Sequence, residues 1–265
     1  MTDAPTPEEA VIESREGAVA VLRLNNPAQL NALTLPMIGA LKRAVERALA
    51  DPEVRAILLT GEGRGFCAGA QLGGEVFASG ASIAEGMRAE LSPLILALRE
   101  GPKPVVCAVN GPAAGAGVGI ALAGDVVIAA RSAKFLLSFG RLGAALDGGT
   151  SALVQRLAGA AKARGMAMLA RPIAAEEAER WGMIWSVVDD EALAEEAMAA
   201  ARALASGPPL SLATIKRQLR EGWTADLART LDAEAGEQAI LFQTEDLREG
   251  AAAFVERRPA VFNGR

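Results

Sequence analysis

A single carboxylate stands in an otherwise uncharged part of the sequence. Asp147 lies in "RLGAALDGGTSALVQRL" (141–157), and no basic residue occurs within five positions on either side of it. An Asp before Gly-Gly-Thr can cap the helix that is expected to begin near Ser151, which is the common role of such residues. A carboxylate in an apolar pocket can instead transfer protons. The position alone leaves both interpretations open.

The residue types that are missing narrow the chemistry. The sequence has no histidine and no tyrosine. Without imidazole, the chain cannot form a Ser-His-Asp or Cys-His relay or bind zinc through histidine. General acid/base chemistry must therefore use Asp, Glu, Lys or Cys. The two cysteines, Cys67 and Cys107, are far apart and lack metal-type spacing, which predicts buried thiols and no metal site.

Two glycine-rich turns, "TGEGRGFCAGA" (60–70) and "GAGVG" (115–119), each follow a predicted strand. Neither matches G-x-G-x-x-G, because Phe66 and Ile120 stand where the third glycine belongs, and no Gly-Lys-Ser/Thr occurs. A Rossmann site for NAD and a P-loop are therefore disfavoured. A helix beginning near Ala116 would expose free N–H groups, and the two turns together could hold one anionic oxygen. Tight strand-to-helix packing explains the glycines equally well.

Composition sets the class of protein. The chain has 265 residues, 51% of them hydrophobic and 22% charged, which fits a globular enzyme. A net charge of -5 without a basic run argues against nucleic-acid binding. The N-terminal "MTDAPTPEEAVIE" lacks the features of a signal peptide, and no stretch of 18 apolar residues occurs. We therefore expect a cytoplasmic protein that does not enter the membrane.

The elements that must position these residues alternate along the chain, with a recurring unit of strand, strand and helix. Thr34 is the predicted cap of the first helix. Gly207-Pro208-Pro209 is the clearest break, so we predict a core over 1–205 and a helical oligomerisation region over 206–265. Periodicity predicts strands at 19–24, 54–60, 102–109, 125–130, 133–137 and 183–190, and helices at 35–50, 82–99, 151–158, 161–170, 175–181 and 191–206.

Three long motifs, "GRGFCAGAQL" (63–72), "PKPVVCAVNGPAAGAGVGIALAGDVVIAARSAKF" (102–135) and "AEEAERWGMIWSVVDD" (175–190), resemble the enoyl-CoA hydratase/isomerase (crotonase) superfamily. The similarity extends over nearly the whole chain. It implies an α/β fold of the ClpP-like type, a spiral of strand-strand-helix repeats with a C-terminal helical trimerisation region. It also implies an acyl-CoA thioester substrate, no cofactor beyond that coenzyme A, and a homotrimer or dimer of trimers.

The resemblance assigns roles to particular residues. It places oxyanion-hole N–H groups on Ala70 and Ala116. Gly119 and Phe139 occupy the positions of the two glutamates that hydratases use. The segment around Asp147 is similar instead to members that work with one aspartate, although those often have an extra residue before Gly-Gly-Thr. We therefore interpret Asp147 as the proton-transfer residue and expect its neighbours, Leu142 and 144–146, to raise its pKa by desolvation. Residues expected along the coenzyme A or the substrate are Ala28, Leu30, Ala68, Gln71, Leu72, Gly115 and Phe139, with Gln71 replacing an aspartate that is usual in the family.

The activity stays open at this level. An isomerase that moves a double bond or opens a ring epoxide is favoured. A hydratase would need another glutamate, with Glu75, Glu85 and Glu90 as candidates. A thioester hydrolase and a non-catalytic acyl-CoA-binding subunit are further alternatives.

Overall fold

The computed structural model describes residues 10–71 and 80–265 of the chain. Its strands form one sheet of six and one of three. The strand bounds are β1 Val11–Glu16, β2 Val19–Leu24, β3 Ala56–Gly61, β4 Val105–Val109, β5 Ala113–Ala114, β6 Val126–Ala130, β7 Lys134–Leu136, β8 Ile173–Ala174 and β9 Ser186–Val188.

The helices lie between the strands and then, after β9, follow one another without interruption. Short 3-10 turns occur at Pro27–Gln29 and Asp190–Ala192, and a π-helical turn, Met87–Leu91, joins α2 to α3. The helix bounds are α1 Leu35–Ala50, α2 Gly80–Gly86, α3 Ser92–Glu100, α4 Ala116–Leu122, α5 Phe139–Leu142, α6 Thr150–Ala158, α7 Ala160–Leu169, α8 Ala175–Arg180, α9 Leu193–Ser206, α10 Pro209–Glu221, α11 Leu227–Leu241 and α12 Glu245–Glu256.

The larger sheet has the order β1-β2-β3-β4-β6-β9, and its strands are parallel except for β1. Parallel strands joined by helices are covered on both faces and so consist of continuous apolar runs. The fully buried "VVCAV" of β4 is such a run. α1 packs on β1 and β2, and α9 packs on β3 and β4. This sheet is the rigid support on which the following loops are held.

The smaller sheet places the two glycine-rich turns side by side. β5 pairs with β7 in parallel, and β7 pairs with β8 antiparallel. A single bridge links Cys67 to Ala113, and another links Leu33 to Ala70. The loop 67–70 therefore lies between the start of α1 and β5, and β5 is the strand that directly precedes α4.

Most predicted elements are confirmed. The helix predicted at 35–50 has those bounds, and the Oγ1 of its cap Thr34 accepts a hydrogen bond from the Met37 N–H at 3.2 Å. The helix predicted at 82–99 consists of α2 and α3, which the π-helical turn joins into one helical segment. β1 was not predicted, because only its first residue is buried and its sequence lacks an apolar face. The strand predicted at 183–190 is shorter in the structure, where β9 comprises only Ser186–Val188.

The described segment from Pro209 to Arg265 forms α10 to α12 without a strand, as expected, and Lys216 is one of its contacts with the core. Lys216 Nζ donates to the carbonyl oxygens of Leu98 and Lys103 and lies 2.8 Å from Asp125 Oδ2. The division at residue 205 stays a prediction. Among the described residues, no helix is long and apolar enough to cross a membrane, and the cytoplasmic location also stays a prediction.

Candidate active site

One cavity collects the residues that the sequence singled out for chemistry. It has a volume of about 520 Å³ and lies between the start of α1, the helix around the π-helical turn, and the loops that carry the predicted site. We call it the acyl cavity, after the acyl group that the resemblance leads us to expect there. Its lining residues are Leu33, Thr34, Leu35, Pro36, Ile38, Ala70, Gln71, Ser82, Ile83, Met87, Leu91, Ala116 and Asp147.

Ala70 presents a free amide at this cavity. Its neighbours bond to Leu33 on both sides, since the Leu33 N–H donates to the Gly69 carbonyl oxygen at 2.7 Å and the Gln71 N–H donates to the Leu33 carbonyl oxygen at 2.9 Å. In a parallel bridge of this kind, the N–H of the central residue points away from the partner strand. The Ala70 N–H donates to no other described residue. It is therefore available to a ligand.

Ala116 presents a second free amide, because it is the first residue of α4. The first N–H groups of a helix have no acceptor inside the helix, and that of Ala116 donates to no other described residue. The preceding Gly115 has φ 53° and ψ -126° and makes no side-chain cap. This backbone turn brings the start of α4 to the cavity, and Ala116 itself is buried. The predicted helix start is confirmed.

Close backbone contacts hold the three loops together. A methyl group on Gly69 would lie 2.6 Å from the carbonyl oxygen of Ala114, and one on Gly148 would lie 3.2 Å from the Cα of Ala116. At Gly119, a methyl group would lie 2.1 Å from the Gly148 carbonyl oxygen. No side chain fits there without movement of the loop. The loops of Ala70, Ala116 and Asp147 are thus packed directly against one another.

The carboxylate of Asp147 does not cap a helix. α6 begins at Thr150, its cap residue is Gly149, and no side chain bonds to its first turn. Only the main chain of Asp147 takes part, since its carbonyl oxygen accepts from the N–H of Thr150 at 3.0 Å and from its hydroxyl at 2.7 Å. The Oδ1 of Asp147 is buried and accepts no hydrogen bond from any described residue. The capping interpretation of this residue is wrong.

Burial raises the pKa of Asp147 from 3.8 to about 6. The cause is desolvation of the carboxylate, with no opposing charge or hydrogen bond. The expected source of this desolvation is corrected, because Leu142, Ala144 and Ala145 are exposed and only Leu146 is partly buried. The apolar surroundings come instead from the side chains across the acyl cavity, on α1 and on 83–91.

The remaining predicted residues differ in their position relative to the cavity. Gln71 lines the acyl cavity together with Ala70, Ala116 and Asp147. Gly115 and Phe139 are buried and do not line it, and a methyl group on Gly115 would lie 3.6 Å from the Phe139 ring. Ala28, Leu30 and Ala68 lie outside the cavity lining, with the Ala68 N–H donating to the Leu30 carbonyl oxygen at 2.9 Å. Leu72 and Glu75 fall outside the described residues.

The apolar walls of the cavity were not predicted from the sequence. Ile83, Met87 and Leu91 lie four residues apart, a spacing that places them on one face of a helix and could have indicated this wall. Asn31, which is fully buried, was not predicted either. The Asn31 Oδ1 accepts from the Asn26 N–H at 2.7 Å, and its Nδ2 donates to the Gly65 carbonyl oxygen at 2.7 Å. This side chain fixes the loop that leads to Ala70.

The two cysteines are unreactive thiols. Burial raises the pKa of Cys67 and of Cys107 to about 12, so both stay protonated. Within residues 10–71 and 80–265, no three His, Cys, Asp or Glu side chains are grouped so that they could hold a metal ion. The chemistry available at the cavity is one carboxylate of raised pKa beside two free amides.

The comparisons with known proteins agree with this geometry. The family model for enoyl-CoA hydratase/isomerase matches residues 14–265. The 1,2-epoxyphenylacetyl-CoA isomerase of Escherichia coli (strain K12) is 44% identical over 260 residues, covering 97% of this chain and 99% of that protein. A Rhodobacter capsulatus protein named "Probable enoyl-CoA hydratase" is also 44% identical, covering 96% and 97%. The crystal structure of an enoyl-CoA hydratase from Polaromonas sp. JS666 aligns with a TM-score of 0.89 at 32% identity, covering 96% of this chain and 99% of that one.

The chain therefore belongs to the enoyl-CoA hydratase/isomerase family and is an enzyme of the crotonase fold that acts on acyl-CoA thioesters. Its relatives include both isomerases and hydratases by name.

Proposed function

We propose that the enzyme is an isomerase that uses Asp147 as its single acid/base residue. The observation that carries this proposal is the unpartnered carboxylate of Asp147 on the acyl cavity, with a pKa raised to about 6. No other described residue that lines this cavity carries a carboxylate. A general base is most effective when its pKa lies near the working pH, and desolvation moves this carboxylate toward that range.

In the proposed reaction, the thioester carbonyl oxygen accepts hydrogen bonds from the Ala70 and Ala116 N–H groups. Asp147 removes a proton from the α-carbon of a 3-enoyl thioester, and the two amides stabilise the negative charge that develops on the oxygen. The same carboxyl group returns the proton to the γ-carbon. The double bond thereby moves from the 3 to the 2 position, and no water is consumed. With an epoxide substrate, the same groups would assist ring opening and rearrangement.

Three features argue against hydration, which needs a second group to handle water. The position at which hydratases carry one glutamate is Gly119, where no side chain fits. Glu85 is exposed and does not line the cavity. Glu90 does not line the cavity either, and its carboxylate lies 2.8 Å from Lys42 Nζ of α1. The high thiol pKa of Cys67 likewise argues against a hydrolase that would act through a cysteine nucleophile.

The acyl group that fits is apolar and uncharged. Leu, Ile, Met and Pro side chains make up most of the cavity lining, and none of the described lining residues is Lys or Arg. A second carboxylate on the substrate would find no counter-charge and would face Asp147. An aromatic ring, as in the substrate named for the Escherichia coli isomerase, matches this chemistry. Along the coenzyme A we place Ala28, Leu30, Ala68, Gln71 and Leu72, with Gly115 and Phe139 supporting the oxyanion site from behind.

We also propose that the chain assembles as a homotrimer or a dimer of trimers. Large apolar side chains on α10 to α12 are exposed and need a surface to cover them; they include Leu219, Leu227, Ile240 and Phe254. Gel filtration with light scattering at micromolar concentration should give a trimer or hexamer. A monomer under these conditions would contradict the proposed assembly.

A spectroscopic assay with two substrates distinguishes the activities. A 3-enoyl-CoA and a 2-enoyl-CoA are offered separately, and the ultraviolet absorbance of the conjugated thioester is followed. An isomerase increases the band with the first substrate. A hydratase decreases the band with the second. A non-catalytic binding protein changes neither, and faster change with the 2-enoyl-CoA would overturn the assignment to Asp147 alone.

A further inference from the structure

One wall of the acyl cavity is built on an irregular turn. α2, the π-helical turn and α3 form one continuous helical segment, in which the Ser92 N–H donates to the carbonyl oxygen of Met87, five residues earlier. The first and last side chains of the turn, Met87 and Leu91, both line the cavity. A π-helical turn of this kind is uncommon and is frequently found at functional sites. The shape of the cavity therefore depends on how this turn is held.

Apolar packing gives this wall little support on the side of α2. No residue of α2 is buried. At Gly86 the segment approaches α1 closely, because a methyl group there would lie 2.7 Å from Cδ2 of Leu35, another lining residue. Within the turn, Leu91 is buried and Met87 packs against the core, and polar contacts to α1 add to this apolar support.

Lys42 of α1 makes those contacts. Its Nζ donates to the carbonyl oxygen of Ala89 at 3.1 Å and lies 2.8 Å from Oε2 of Glu90, so both partners belong to the π-helical turn. The Lys42 and Glu90 side chains are largely shielded, with 19% and 29% of their surfaces exposed. Since α1 also supplies Leu35, Pro36 and Ile38 to the cavity, Lys42 connects two of its walls.

We propose that Lys42 is a positioning residue that holds the π-helical turn against α1 and thereby sets the fit of the acyl cavity to long or bulky acyl groups. This inference rests on the proposed function, in which the acyl group occupies the cavity. Lys42 does not line the cavity and contacts no reacting atom. Its effect must therefore depend on the length of the acyl group and be absent for a ligand that ends close to the thioester.

The test compares two saturated thioesters that cannot isomerise, acetyl-CoA and octanoyl-CoA, by calorimetric titration. Lys42→Met keeps the apolar stem and removes the charge and the hydrogen-bond donors. We expect octanoyl-CoA to bind about tenfold more weakly to this variant, the loss of one charge-assisted contact, and acetyl-CoA to change by less than about twofold. Glu90→Gln keeps the hydrogen bond from Lys42 to the Ala89 carbonyl oxygen. The affinity of this variant for octanoyl-CoA should therefore decrease less, by about threefold.

Arg47→Met is the matched control. Arg47 also belongs to α1, but its ion pair is with Glu13 of β1, on a side of the helix away from the cavity. Both thioesters should bind this variant as they bind the unaltered enzyme. The same substitution type on the same helix thus separates a local effect from a general loss of helix stability.

The outcomes separate this inference from the proposed function. If both thioesters lose affinity equally in Lys42→Met, or if octanoyl-CoA loses none, the positioning role is wrong while acyl-CoA binding stands. If Lys42→Met does not fold, the ratio of the two affinities in Glu90→Gln decides the question in the same way. If the unaltered enzyme binds neither thioester, the proposed function fails and this inference fails with it.

Discussion

Two aspartates beside glycines, Asp125 and Asp147, are placed in opposite surroundings. Asp125 accepts a hydrogen bond from the Val105 N–H at 2.8 Å and lies 2.8 Å from Lys216 Nζ, with 21% of its own side chain and 8% of the lysine side chain exposed. Asp147 has a buried oxygen that no described residue contacts with a hydrogen bond. The first carboxylate is partnered and joins α10 to the core. The second is unpartnered and faces a cavity.

The difference shows that the presence of a hydrogen-bond or ion-pair partner, rather than the degree of burial, distinguishes a structural carboxylate from one that is available for proton transfer. A charge that is withdrawn from water must be compensated or must favour its neutral form. Burial raises the pKa of both carboxyl groups, but Lys216 and the Val105 N–H oppose this shift at Asp125, whereas no charge or hydrogen bond opposes it at Asp147. Removal of the Asp147 carboxylate should therefore lower turnover, whereas removal of Lys216, the partner of Asp125, should lower the stability of the fold.

The largest effect is expected from Asp147→Asn. Asn has nearly the same size but cannot accept a proton at neutral pH, so turnover of a 3-enoyl-CoA should fall by about 10²–10⁴, the usual contribution of a general base. Binding of the thioester, measured by calorimetry, should persist. In the unaltered enzyme, kcat/KM should rise with pH up to about 6 and then level off, because the base must be deprotonated. Turnover close to normal in the variant would show that Asp147 is not the general base.

A different kind of loss is expected from Lys216→Met. This change leaves Asp125 without its counter-charge in a shielded position. The free energy of unfolding in urea should decrease by about 3 kcal/mol, the lower end for breaking a buried pair, since part of Asp125 stays exposed. Turnover per folded molecule should be unchanged. The double variant with Asp125→Asn should recover part of the stability; an additive loss would show that the two groups do not act as a pair.

The backbone half of the site is tested at Ala116. Ala116→Pro removes the N–H at the first position of α4, where a helix accepts proline. Turnover should fall about hundredfold, the usual effect of one oxyanion donor, while the fold is retained by circular dichroism. Ala116→Gly keeps the N–H and is the control with a mild effect. A folded proline variant with normal turnover would exclude this amide from the site.

The smallest effect concerns the stability of Asp147→Asn. The pKa of Asp147 is higher in the folded chain than its ordinary value of 3.8, so the ionised form destabilises the fold. This cost is fully present above a pH of about 6 and absent below about 4. The melting temperature of the variant should therefore exceed that of the unaltered enzyme by a few degrees at pH 8, and the difference should vanish by pH 4. A variant that melts lower at pH 8 would contradict the absence of partners.

Local patterns in the sequence predicted most of the fold. Buried apolar runs gave the parallel strands, and the Thr34 cap gave the start of α1, because these features depend on adjacent residues. β1 was not predicted because only its first residue is buried, so its sequence shows no alternation of apolar and polar residues. The two-residue strands β5 and β8 are too short to show a period.

The site was predictable only in part. From the residues alone, Asp147 was as compatible with a cap as with a base, and its proton-transfer role came from resemblance. Its apolar surroundings could not be predicted, since they come from α1 and from 83–91, more than fifty positions earlier in the chain. The neighbours in sequence that were expected to shield it, such as Leu142 and Ala144, face solvent.

The contact between Gly119 and the Gly148 carbonyl oxygen restricts how this enzyme can evolve. A glutamate at 119 would bring the chain closer to a hydratase, yet even its Cβ would lie 2.1 Å from that oxygen. A side chain at 119 therefore requires the backbone around Gly148 to move. The segment that carries Asp147 and the helix that begins at Ala116 must change together before a glutamate at 119 can be accepted.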